Sequence, residues 1–426
     1  MRELYHGCYA EKLDNGITVI VEPIADRPLA LGVWVRVGSR DEPAELAGIA
    51  HFIEHMVFKG TTNRTAFQIS EEVDAMGGYI NAMTHKEYTL FHIDVLPKHL
   101  EAALDILSDL VKNPRFAAED IRKEQGVVLE EIRMTEDNPQ EKVFDLFVER
   151  IWDHQHPMAR PILGRADTVR RFHRAGVLHF HAYYHPEHVV VTAAGAVEPA
   201  QVLQAVQNSF SPLERGAALS PRQPPQPNQH CYIEDRDSQQ ANLVLGVPSV
   251  GRHDERRFAL EVMNTILGGG MSSRLFKKIR EELGLAYAVF SSASLFEDSG
   301  IFIIYVGTDP KNARQTVEIG LAEIDRLVRE PVPEAELRLA KEKLKGNMLL
   351  GLETSHSRMI RLGIGELYNI HAPVEELVTK IERVTSEEIQ EIAHDLFGRD
   401  GLSLSAVGPE EQLRNLGNVL AAAKTS

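Results

Sequence analysis

The sequence predicts an α+β fold made twice: two homologous domains, each a mostly antiparallel β-sheet packed with helices. Three observations carry that prediction. A proline-rich break, "PLERGAALSPRQPPQPN" from Pro212 to Asn228, divides the 426-residue chain nearly in half. It holds almost no large apolar residue and fits an extended linker. A strand–helix–proline–helix unit occurs on both sides of it. Alternating apolar segments precede that unit in each half, "LALGVWVRVGS" in the first and "ANLVLGVPSV" in the second. This is the period-two signature of sheet strands. Helices gathered against such sheets give α+β architecture. The expected boundaries are 1–211 for the first domain, 212–228 for the linker and 229–426 for the second domain.

The elements follow in order. "MRELYHGCYAEKLDNGITVIV" is a strand–turn–strand pattern that turns at Asp14, Asn15 and Gly16. Pro43 and the run "AELAGIAHFIEHMVF" predict a helix that ends near Lys59–Gly60. The first copy of the repeat is "YTLFHIDVLPKHLEAALDILSDLVKNPRFAAEDIRKEQGVVLEEI", and the second runs from Ser299 through "KEKLKGNMLLGL". Pro97 pairs with Pro310 at an offset of 213, and Val111 with Val328 at 217. "MTEDNPQEK" reads as a solvated turn after the first copy. His179, His181, His185 and His188 read as a helix passing into a strand at Pro186, because no acid or cysteine spacing supports a metal there.

Composition narrows the function. With 43% hydrophobic and 25% charged residues the chain is an ordinary globular protein, too long for one core. A formal charge of -16 without a basic patch disfavours nucleic acid. An acidic cleft would instead steer basic peptides inward. No apolar run approaches the roughly 18 residues of a membrane span, and the N-terminus lacks the pattern of a secretory leader. Cys8 and Cys231 match neither a disulfide framework nor a thiolate metal site. A cytoplasmic setting without membrane association is expected. "GGGMSSR" lacks the Lys–Ser/Thr ending of a phosphate loop.

The chemistry concentrates in "HFIEH". On a helix, His51, Glu54, His55 and Phe58 fall on one face, while the rest of the surface is apolar. A buried helix must supply its polar face with partners, and a metal ion satisfies two imidazoles one turn apart. Glu54 then lies beside the ion, placed to deprotonate a water. Zinc needs a third protein ligand if water is to hold the fourth position. In "AAEDIRKEQGVVLEEIRM", Glu124 and Glu131 share an arc with Ile121, Val127 and Val128, the expected inward side. Glu119 and Glu130 lie outward with Lys123 and Arg133. Glu131 is therefore the expected third ligand, with Glu124 orienting a ligand or holding the helix. The repeat provides a control: an offset of 217 carries His51 to Gly268 and Glu131 to Met348. The second copy lacks the ligands, so they serve a specialised site and not the shared core.

These motifs resemble the pitrilysin/insulinase family of zinc peptidases, in particular its short-chain branch related to the mitochondrial processing peptidase. The resemblance spans almost the whole chain through "GIAHFIEHMVFKGT", "MGGYINAMTHKEYTLFHIDVL", "EQGVVLEEIRMTEDNPQ", "HPMARPILG" and "GGGMSSRLFKKIREELGLAYAV". It implies one zinc ion per chain on His51, His55 and Glu131, with Glu54 the general base. Glu124 matches the family's accessory acid seven residues earlier, and the separation of 76 residues between His55 and Glu131 fits the family spacing. The resemblance also implies that Arg280 and Tyr287 hold the substrate carbonyl and oxyanion. Asn81 and Ala82 would border an edge-strand groove that grips peptide backbone.

Full-length relatives join four such domains into a clam-shell, so this chain is expected to be half of one. Two chains would then face each other as a homodimer around unfolded peptides; a heterodimer with a related subunit is the other arrangement the family uses. A non-catalytic assembly subunit is the competing class, and the whole motif counts against it. A small-molecule zinc hydrolase is disfavoured by the duplication and the groove.

Overall fold

A computed structural model describes residues 1–211, 216, 218–398 and 401–423. Pro212, Leu213, Glu214, Arg215 and Ala217 of the expected linker lie outside the described residues; 218–228 is irregular backbone with one bridge, Trp152 to Pro227. The chain forms two compact units. The first comprises Met1–Ile132, Arg160–Arg222 and Leu349–Pro373; the second comprises Arg133–Ala159, Gln223–Met348 and Val374–Ser426.

The first unit is built on strands β1 (Arg2–Tyr5), β2 (Cys8–Lys12), β3 (Thr18–Pro23), β4 (Leu29–Val35), β5 (Tyr79–Thr84), β6 (Thr89–Val95) and β7 (Val189–Gly195). They form one sheet in the order β1-β2-β3-β7-β4-β6-β5, antiparallel except where β3 meets β7. The turn between β2 and β3 falls where the Asp-Asn-Gly signal places it, with Gly16 N–H donating to Leu13 O and φ at +105°. One face carries Leu31, Val33, Val35, Phe91 and Ile93. It packs against helices α1 (Ile49–Val57), α2 (Ala66–Ala75), α3 (Leu100–Lys112) and the buried side of α4 (Ala118–Asp137). Each fully buried Leu, Ile or Phe in such a core contributes about 1.5–3 kcal/mol.

The opposite face, with Ala30, Trp34, Leu90 and Val190, is covered by the Ser355–Leu367 helix through Met359. A Cβ at Gly363 would lie 1.9 Å from Trp34 Cε2, so glycine is what lets that helix ride over the indole. The indole Nε1–H donates to Thr192 Oγ1 at 2.8 Å, so the buried donor is satisfied.

The second unit repeats the plan with β8 (Cys231–Asp235), β9 (Ala241–Ser249), β10 (Ala286–Leu295), β11 (Gly300–Thr308) and β12 (Ser403–Gly408). Their order is β10-β11-β9-β12-β8, and only β8 and β12 run parallel. Leu243, Leu245, Phe302 and Ile304 face the Arg257–Leu267, Ala313–Arg329 and Ser386–Phe397 helices. Val244, Tyr305 and Val407 pack against α5 (Pro139–Ile151) through Val143 and Phe147. The helix after α4 thus belongs to the second unit, and the helix after Glu334–Gly351 belongs to the first.

Three local expectations change. The helix carrying the histidines begins at Ile49 and not near Pro43, because Gly48 at φ +95° separates it from the short 3-10 turn Ala44–Leu46. "MTEDNPQEK" is not a turn: α4 continues to Asp137, and Asn138 caps α5 by accepting from the Gln140 and Glu141 N–H groups. Val127 is 49% exposed and so lies outside the buried stripe of α4 that Ile121 and Val128 occupy. His179, His181, His185 and His188 belong to no metal-sized group among the described residues. His181 Nε2 and His188 Nδ1 bond the carbonyls of Val111 and Tyr183.

Candidate metal centre

The site is built on the first turn of α1. Glu42 is buried and accepts the N–H groups of Gly48 and Ala50, each at 2.8 Å. This satisfies two of the donors that a helix start leaves without a partner. Burial pushes the Glu42 carboxyl up to about 8 against those two bonds. A Cβ on Gly48 would lie 2.7 Å from Leu163 O and from Gly164 Cα. The start of "GIAHFIEH" is therefore locked to the end of "HPMARPILG" by backbone contact that only small residues permit.

From that anchor His51 and His55 project together, their ring centroids 4.5 Å apart at 63°. Glu131, from α4, completes the group. Its Oε2 lies 3.7 Å from His51 Nε2 and 3.6 Å from His55 Nε2. Ligands about 2.0–2.2 Å from one tetrahedral ion sit roughly 3.3–3.6 Å from each other, so the spacing suits zinc. His51 is 7% exposed, and both its Nδ1 and Glu131 Oε2 are buried without a hydrogen-bond partner among the described residues. Two imidazoles and a carboxylate converging in this way, with a buried oxygen otherwise unsatisfied, fit a zinc ion.

Glu124 is 3% exposed and spans His55 and Lys59. Its Oε1 accepts from His55 Nδ1 at 2.8 Å, and its Oε2 lies 2.7 Å from Lys59 Nζ. The Nδ1–H bond fixes the tautomer and turns the Nε2 lone pair toward Glu131 and His51. It also holds His55 above the usual histidine range, against the effect of burial. Burial raises the Glu124 carboxyl, but the bonds from His55 and Lys59 outweigh it and keep the group below its ordinary value. His51 is pushed the other way, down to about 3, by burial and by the neighbouring His55.

Glu54 sits on the same face of α1 and accepts the Thr84 hydroxyl at 2.5 Å. Burial pushes its carboxyl up, with the Thr84 bond opposing. Thr84 ends β5, the outer strand of the sheet on this side. Along β5, Asn81 is exposed and Ala82 half-buried, and the Asn81 amide oxygen accepts the Ala82 N–H at 2.9 Å. Sequence reasoning passed over Thr84, Lys59 and Glu42. Lys59 stands four residues after His55, and Thr84 shares strand parity with Ala82, so those two carried a periodic signal. Glu42 lies in irregular backbone and carried none.

Arg280 and Tyr287 belong to the second unit. Arg280 lies on a π-helical segment, Phe276–Glu282, a helix type that concentrates at functional positions. Tyr287 occupies a β-bulge: Ala286 pairs with Thr308 and Ala288 with Gly307, leaving Tyr287 without an opposite residue. Bulges re-aim side chains, and this ring is 79% exposed with the Arg280 guanidinium 5.3 Å from its centroid.

Comparison with known proteins identifies the family. Residues 19–165 match the family model described as insulinase (peptidase family M16), and residues 173–344 match the peptidase M16 inactive domain. An uncharacterized zinc protease of Mycobacterium tuberculosis is 40% identical over 417 residues, covering 95% of this chain and 94% of the relative. One from Bacillus subtilis is 36% identical over 399 residues, covering 93% and 97%. A crystal structure of a protease from Helicobacter pylori has the same fold, with a TM-score of 0.88 at 22% identity over 94% of this chain and 99% of the other. The chain belongs to the insulinase family of zinc peptidases, peptidase family M16.

Proposed function

We propose that this chain is a zinc endopeptidase that holds one zinc ion at His51, His55 and Glu131 and cleaves unfolded peptides with Glu54 as general base. The observation that carries the reading is the placement of Glu54: one helix face presents it beside two histidines whose nitrogens converge with Glu131. Zinc, when bound, lowers the pKa of a coordinated water and polarises the scissile carbonyl. Glu54 takes a proton from the attacking water and passes it to the leaving amine. The upward push that burial gives its carboxyl suits a base that must also serve as an acid. Glu124 keeps His55 in the tautomer that presents Nε2.

Asn81 and Ala82 border the outer edge of β5, where an extended peptide adds as a further strand. Arg280 and Tyr287 hold the carbonyl and the developing oxyanion. The exposed ring and its guanidinium support that role. Two chains facing each other would enclose the substrate in a chamber, with the duplicated domains 1–211 and 229–426 as its walls and 212–228 as their link. Among the described residues no helix is long and apolar enough to cross a membrane, and we place the enzyme in the cytoplasm.

The test is zinc analysis together with digestion of an unfolded-peptide library by wild type and Glu54→Gln. Retained zinc with a rate lowered about 10²–10⁴-fold is expected. Full activity in that variant would remove Glu54 from the mechanism, and an inactive wild type would point to an assembly subunit.

A further inference from the structure

The sheet face beneath the Ser355–Leu367 helix carries polar groups unrelated to the centre on α1. His92 and Asp94 stand two apart on β6 and so point to the same face, the one that Leu90 and Trp34 occupy. His356, in the first turn of the covering helix, reaches both. Its Nδ1 lies 3.1 Å from Asp94 Oδ2, and its ring centroid lies 4.6 Å from that of His92 at 71°. One donor atom from each of the three residues lies within 4.8 Å of the other two. His92 is 4% exposed, and its Nδ1 has no hydrogen-bond partner among the described residues. An ion pair between Asp94 and His356 accounts for two of the groups. It leaves a buried imidazole nitrogen unsatisfied, which is unfavourable.

We propose that His92, Asp94 and His356 form a second divalent-metal site, of the zinc class, that ties the first turn of the Ser355–Leu367 helix to β6. Two imidazoles and one carboxylate are the donors of zinc, nickel or cobalt ions, whereas magnesium and calcium take oxygen sets. The site is structural: its ligands join a helix to a sheet from sequence positions more than 250 residues apart, so ion binding becomes folding free energy. The strand pairing also connects it to the edge strand, because Asp94 lies opposite Tyr79 and His92 opposite Asn81. The two centres use opposite faces of one sheet, and neither proposal depends on the other.

The test is a metal count on the full chain after chelation, reloading with Zn²⁺ alone and dialysis. Wild type is expected to keep two equivalents, His356→Ala and Asp94→Asn one, His55→Ala one, and the double variant His55→Ala/His356→Ala none. His356 is partly exposed, and the apo His356→Ala chain should melt with the apo wild type, which establishes folding. Zn²⁺ should then raise the melting temperature of His55→Ala but not of the double variant. Equal zinc counts in wild type and His356→Ala, or no Zn²⁺-dependent shift in His55→Ala, would overturn the second site. Loss of zinc from His356→Ala with none lost from His55→Ala would keep it and overturn the first.

Discussion

The pair α1 and α4 in the first unit and the pair Arg257–Leu267 and Glu334–Gly351 in the second hold the same places in the order of elements, with opposite chemistry. In the first unit the pair converges on two imidazoles and two carboxylates. In the second, the Arg257–Leu267 helix contains no histidine, and its Asn264 is engaged by the Ser291 hydroxyl at 2.7 Å. Met348 stands on Glu334–Gly351 and packs against the apolar core. A sheet and its helices therefore assemble without the ligands, and the buried polar cluster of the first unit is not something the architecture demands. The comparison also corrects a detail of the repeat. A fixed offset of 217 sets Gly268 against His51, but Gly268 caps the end of its helix while His51 lies in the first turn of α1. Loop lengths differ between the copies, so equivalence holds by element and not by count.

The strongest way to break this contrast is His55→Ala, which should abolish peptide cleavage and remove the zinc of the first centre, read by metal analysis and a peptide assay. Asn264→Ala, on the other helix, should leave the zinc count untouched. Tyr287→Phe probes what the second unit contributes: the rate should fall about 10²–10³-fold with zinc retained, measured as kcat on an unfolded peptide. Glu124→Gln should weaken zinc by about 10–100-fold, read by chelator competition.

The same Glu124→Gln variant has a pH signature. The Glu124 bond raises the His55 pKa in the metal-free chain. Its removal should therefore move His55 titration to lower pH, followed by imidazole NMR of apo protein. At the small end, Val127→Gln should change stability by less than about 0.5 kcal/mol because the side chain is largely in solvent, checked by thermal melting.

Much of the site was legible because it is periodic. His51, Glu54 and His55 share a face by helical spacing alone, and the seven-residue step from Glu124 to Glu131 survives as two groups that meet the same histidine. Val127 shows where periodicity misleads: an apolar residue at the margin of an arc can face water. Glu42 and Gly48 show what periodicity misses. Their roles come from backbone donors and from contact with Leu163 and Gly164, over a hundred residues later in the sequence. Thr84 reaches Glu54 from another element, and only the sheet register places it there. The two sheets were visible as alternation, but the membership of α5 and Ser355–Leu367 was not, because an amphipathic helix records that it has an apolar partner and not which one.

That membership bears on how the chain is made. The last strand of the first sheet, β7, is complete at Gly195, yet Trp34, Leu90 and Val190 wait for a helix that begins at Ser355. At about 5–20 residues per second, that face stays uncovered on the ribosome for on the order of ten to thirty seconds. During synthesis the first sheet can therefore bury only one of its faces until the second half of the chain emerges.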